Sequence, residues 1–84
     1  MENELYAKFA AEFAAASPEE LEEAFNYEVG NNGWCYARSC HDIALLREMI
    51  RRGIDVSPVY KDHTISFRHR IRIDGDRVVV LEDD

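Results

Sequence analysis

Residues 64–73 read Thr64-Ile65-Ser66-Phe67-Arg68-His69-Arg70-Ile71-Arg72-Ile73. The strict alternation of apolar and polar residues predicts a β-strand with two different faces. Ile65, Phe67, His69, Ile71 and Ile73 point one way and need a core, while Thr64, Ser66, Arg68, Arg70 and Arg72 point the other. Asp74-Gly75 follows, a strong short hairpin signal, and then a returning strand over residues 77–81. With Asp74 and Gly75 as the turn, Ile73 pairs with Asp76, Ile71 with Val78 and His69 with Val80. The arginine face then sets Arg72 opposite Arg77, Arg70 opposite Val79 and Arg68 opposite Leu81. A lone hairpin is marginal in water, so this one must lie against helices.

The chain ahead of it supplies them. Residues 3–16 carry Leu5, Phe9 and Phe13 at four-residue intervals among alanines, the pattern of an amphipathic helix. Ser17-Pro18-Glu19-Glu20 is a capping box with proline at the first helical position, so a second helix starts at Pro18, turns Leu21, Ala24, Phe25 and Glu28 or Val29 inward, and stops at Gly30. Gly30-Asn31-Asn32-Gly33 is turn chemistry. A third helix is expected over about residues 40–52, capped by Ser39, with Ile43, Leu46, Met49 and Ile50 as its apolar stripe. Gly53 and Ile54 suit a Schellman end. Residues 56–60 are readable as a short strand, confined to an edge by Pro58. The fold class is therefore α+β: about three N-terminal helices packed on a small antiparallel sheet, formed by the C-terminal hairpin plus that edge strand.

With 84 residues the chain is expected to be one domain with a modest core. Its apolar runs reach four residues, against the roughly 20 that a membrane helix needs. Glu2 and Glu4 stand where a secretion signal would carry Lys or Arg, and Cys35 and Cys40 are too few for a disulfide framework. The expected location is the cytoplasm, with both cysteines as thiols. The net charge of −7 is uneven: residues 1–28 hold eight acids and one lysine, whereas residues 38–77 hold nine basic and six acidic side chains.

Three groups of residues carry candidate chemistry. Arg68, Arg70, Arg72 and Arg77 form an anion-binding stripe suited to carboxylate or phosphate. Its alternative is a plain solvent face neutralised by the second helix and by the tail Glu82-Asp83-Asp84. Trp34 and Tyr36, with Tyr27 across the turn, either pack over the core, as expected for the single tryptophan of so small a chain, or project as an interface anchor. Cys35, Cys40 and His41 offer zinc or thiol chemistry, at a spacing unlike the usual zinc pattern. The sequence contains no nucleophile elbow, phosphate-binding glycine loop or metalloprotease signature. The resulting expectation is a non-enzymatic module without a cofactor that binds a protein partner as an inhibitor or regulator, through the arginine face or the Trp34 loop. A nucleic-acid partner for the same arginines ranks second, since the acidic net charge opposes it, and the zinc or thiol role ranks third.

Overall fold

The computed structural model describes residues 4–31 and 33–82. Met1, Glu2, Asn3, Asn32 and the tail acids Asp83 and Asp84 lie outside them. Helices α1 (Glu4–Ala14), α2 (Pro18–Glu28) and α3 (Tyr36–Arg51) precede strands β1 (Tyr60–Lys61), β2 (Thr64–Ile65), β3 (Arg70–Asp74) and β4 (Arg77–Leu81). The strands form two separate antiparallel hairpins, β1 with β2 and β3 with β4. The arrangement is α+β. α1 packs on α3, and α2 lies against β3. One apolar cluster joins all layers, with Leu21, Phe25, Leu45, Met49 and Ile71 at its centre.

The capping box forms as its residue types dictate. Ser17 Oγ accepts from the Glu20 N–H at 3.1 Å, and a Glu20 carboxylate oxygen accepts from the Ser17 N–H at 2.8 Å. At the other end of α3, Gly53 adopts φ +81°, the left-handed conformation that glycine takes without steric cost. The Gly53 N–H then reaches the Ile50 carbonyl and the Ile54 N–H the Met49 carbonyl, a complete Schellman motif with Ile54 buried.

α3 departs from expectation in two ways. It starts at Tyr36, a turn before residue 40, and its N-cap is Cys35, with no side-chain cap bond. The start is held instead by Arg38, whose guanidinium bonds back to the carbonyls of Glu28, Asn31 and Gly33. The helix is also rotated about its axis: Ala44, Leu45, Leu46 and Met49 are buried, while Ile43 and Ile50 are 41% and 49% exposed.

The alternation over residues 64–73 survives intact, every odd-numbered side chain being more buried than its neighbours, but the strand does not. Residues 66–69 pair with nothing as a strand, and the segment serves two hairpins in turn. The edge strand expected over residues 56–60 forms only as Tyr60–Lys61 and pairs with β2, not with the C-terminal hairpin. Its turn, Asp62-His63, places two non-glycine residues at φ 51° and 62°, the left-handed pair that a type I′ turn demands.

In the second hairpin the turn residues are Gly75-Asp76 rather than Asp74-Gly75. Asp74 pairs with Arg77, Ile73 with Val78, Arg72 with Val79, Ile71 with Val80 and Arg70 with Leu81. Gly75 at φ +65° occupies the first central position, where a type II′ turn requires glycine. The pairing slides by two residues, so every side chain keeps its expected face. The slide also replaces an Arg72–Arg77 like-charge pair with an Asp74–Arg77 contact at 4.0 Å.

The outer edge of β3 is closed by side chains. The Asn26 amide bonds both backbone groups of Ile71, accepting from its N–H at 2.8 Å and donating to its carbonyl at 3.0 Å, as a neighbouring strand would. Glu22 accepts from the Ile73 N–H at 2.7 Å. β4 takes a parallel bridge between Asp55 and Arg77 on its far side.

Candidate functional site

Four surface features hold the polar and aromatic residues from which function can be read. On the outer face of the β3–β4 hairpin, Arg70, Arg72 and Arg77 stand exposed among the half-buried Val79 and Leu81, and Arg68 is exposed just ahead of β3. The Arg77–Asp74 pair is well exposed on both sides and therefore weak. Arg68, Arg70 and Arg72 have no carboxylate within ion-pair distance among the described residues. Glu22 and Glu23 of α2 share a shallow hollow with Arg70 and Tyr27, so local acid approaches the stripe without binding it.

The second feature is aromatic. Trp34 is 76% exposed, and Tyr27 and Tyr36 stand out of the surface on either side of the same turn. The expectation that the single tryptophan serves the core is wrong. The large aromatic at the centre of the core is instead Phe25, fully buried and tilted at 40° against Phe67 with ring centres 4.7 Å apart. Tyr36 has its hydroxyl bonded to the Cys40 side chain, which holds its proton more tightly than usual.

A trough lies beside Trp34. Two adjoining hollows share Ile43, His63 and Ile65 and together run along the outer side of α3. Trp34 and Phe67 line one end and Ile50 and Tyr60 the other. Arg38 and Arg47 border it, Arg38 paired with Asp42 on its wall and Arg47 donating to the Tyr6 hydroxyl.

Under the turn sits an ionic hub. Arg38 Nε lies 3.2 Å from Glu28 Oε1 and 3.6 Å from Asp42 Oδ2. Its terminal nitrogens donate to the three carbonyls of the turn, and its plane lies over Phe67, 5.8 Å from the ring centre. His41 Nδ1 is 3.0 Å from Asp42 Oδ1, and its ring meets Phe9 and Phe13 edge to face. Glu28 is 4% exposed, and burial raises its pKa above the usual glutamate range, helped by the neighbouring Asp42 carboxylate. Among the described residues no buried side-chain polar atom lacks a partner. A fully satisfied network of this kind fixes the turn in one geometry.

Glu28, His41 and Asp42 bring oxygen and nitrogen ligand atoms within 4.8 Å of one another, the one such cluster among the described residues. The Arg38 guanidinium already lies against both carboxylates, so the cluster holds a cation of its own. Cys35, Cys40 and His41 are not gathered into a ligand set: Cys35 is exposed, Cys40 is buried, and neither belongs to that cluster. The hub and the trough escaped sequence reasoning. Arg38 four residues before Asp42 was visible on a helix face, but its link to Glu28 bridges two elements and has no sequence signature.

Comparison with protein-family models, with curated proteins and with solved structures finds no match. No helix among the described residues is long and apolar enough to cross a membrane.

Proposed function

We propose that this chain is a non-enzymatic, cytoplasmic protein-binding domain that acts through the Trp34–Tyr36 loop and the arginine face of Arg68, Arg70, Arg72 and Arg77, as an inhibitor or regulator of its partner. The exposure of Trp34 carries the reading. Burying a tryptophan removes roughly 150–250 Å2 from water, worth several kcal/mol at about 25 cal/mol/Å2, and a small domain has the most to gain from it. Leaving it outside, beside two exposed tyrosines and above a turn fixed by Arg38, matches the aromatic and arginine composition of interface hot spots and the preorganisation that limits the entropic cost of binding. The net charge of −7 does not forbid an acidic partner, because salt screens its field beyond roughly 8 Å while the arginines act at contact.

A second reading, nucleic acid on the same arginines, is favoured by the lack of ion-pair partners for Arg68, Arg70 and Arg72 among the described residues. Affinity capture from the native lysate, with and without nuclease, separates the two. For a protein-binding domain, a partner survives nuclease and is lost with Trp34→Ala or with a triple Arg68/Arg70/Arg72→Glu variant. Loss of all captured material on nuclease, with steep salt dependence, selects nucleic acid. Capture unchanged by every variant overturns both.

A further inference from the structure

We propose that an extended, acidic segment of the partner protein adds to the free edge of β4, with its acidic side chains turned to the arginine face. This rests on the reading of the chain as a protein-binding domain and names what the arginine face binds. The two edges of the β3–β4 hairpin are finished differently. Asn26 bonds both backbone groups of Ile71, which therefore point away from β4, and Val80 is paired across from Ile71. In an antiparallel ladder the two members of such a pair turn their N–H and C=O outward to opposite sides. The N–H and C=O of Val80 thus face the far edge of β4, where no described residue bonds them. Asp55 begins a third strand on that edge, bonding the Asp76 carbonyl and the Val78 N–H, and the chain then leaves through the Val56–Val59 turn. An extended segment entering behind Asp55 continues that strand, and main-chain bonds of this kind are how sheet edges hold peptides.

Charge selects the occupant. Arg68, Arg70 and Arg72 are exposed and lack an ion-pair partner among the described residues. On the α2 side the face is closed by Glu22 and Glu23, which share a hollow with Arg70. On the β4 side Arg72 stands across from Val79 and Arg70 from Leu81, so only apolar side chains separate these arginines from the free edge. Of the acids nearby, Asp55 turns its carboxylate to the Ser57 N–H, Asp74 lies against Arg77, and Asp76 and Glu82 stand beyond the two ends of β4. A strand added there lies about 4.8 Å from β4, near enough for arginine stems to run over Val79 and Leu81 toward its carboxylates. Nucleic acid fits less well. No aromatic ring stands on the outer face of the two strands for a base to stack on, and a duplex broad enough to cover it would set phosphates against Glu22 and Glu23.

The test is a displayed library of random ten-residue peptides selected on the full chain, with the Arg70→Glu/Arg72→Glu double variant as the counter-target. The expected winners carry Asp or Glu at alternate positions with apolar residues between them. The best of them, as a synthetic peptide, binds the double variant at least tenfold more weakly. It also loses at least tenfold in affinity when alternate backbone nitrogens of the peptide are methylated, which removes strand donors and leaves every side chain in place. Val80→Pro, which deletes the outward N–H and no β3–β4 bond, weakens binding likewise with its circular dichroism unchanged. Trp34→Ala leaves the peptide bound, which separates this edge from the aromatic loop. Absence of enrichment, basic winners, acids at helical spacing, or equal binding of the methylated peptide overturns the strand proposal, and the capture experiment above still decides the broader reading. An oligonucleotide bound more tightly than the best peptide and lost with the same arginine variant also overturns it, as does a dimer in sedimentation that Val80→Pro dissociates.

Discussion

Glu28 and Glu48 are the same residue type, on neighbouring helices and almost equally buried, at 4% and 6% exposed, yet the protein shifts their pKa values in opposite directions. Glu48 faces two arginines: its carboxylate accepts from Arg51 at 2.9 and 2.6 Å and from Arg52 at 2.6 Å, which holds its pKa below the usual range. Glu28 shares its surroundings with Asp42, and the single Arg38 between them does not offset burial. Burial alone raises a carboxylate pKa, so the partner decides the sign. Glu48 is a structural clamp. Through it Arg52 is oriented to donate to the carbonyls of Phe13 and Ala16, tying the end of α1 to α3. Glu28 helps to hold a turn that displays Trp34, at some cost in stability.

The largest effect is expected at the clamp. Glu48→Ala leaves Arg52 half-buried without its acceptor and should lower stability by about 2 kcal/mol in urea unfolding. A loss under about 0.5 kcal/mol would mean that the Arg52 bonds to α1 stand without Glu48.

Acid titration should then separate the two glutamates. Glu28, with a raised folded pKa, adds stability that is complete below the unfolded value of about 4.3 and is lost as pH rises through the folded pKa. Glu48 and Asp55, whose carboxylate accepts from the Ser57 N–H, are lowered; their contribution is present above their unfolded values and is lost as pH falls through the folded ones. Melting temperature measured from pH 3 to 8 should show both limbs. Glu28→Gln should flatten the limb that falls as pH rises and Glu48→Gln the limb that falls as pH drops, and a profile unmoved by either substitution breaks the comparison.

The smallest effect is that of Glu28→Gln at pH 7. A neutral amide keeps an acceptor for Arg38 and offers Asp42 a donor, so stability should stay level or rise by about 0.5 kcal/mol, read from the midpoint of denaturant unfolding.

What the sequence revealed and hid follows from the range of each interaction. The Ser17–Glu20 box, the Gly53–Ile54 end of α3 and the inward and outward faces of residues 64–73 are local chemistry, and each was legible. The Asp62-His63 turn was not, because neither residue is the glycine or asparagine that normally marks it. The register of the second hairpin turned on which two of Asp74, Gly75 and Asp76 occupy the corner, a choice left open until like charges across the strands are counted. The arginine stripe was found as a face, but the exposure of Trp34 is set by how whole elements pack, with Phe25 rather than the tryptophan buried in the core. Arg38 with Glu28 and Asn26 with Ile71 are pairings between elements, the latter 45 residues apart, and nothing local announces them.

The amide of Asn26 has a consequence beyond holding α2 in place. A side chain that substitutes for a strand can be withdrawn, whereas a covalently continuous strand cannot. If α2 frays, the Ile71 and Ile73 backbone is left as an open edge next to a Val78-Val79-Val80-Leu81 run, a template for fibrous aggregation. The alternating arginines of β3 then act as gatekeepers, since like charges stacked in register resist the growth of such a fibre.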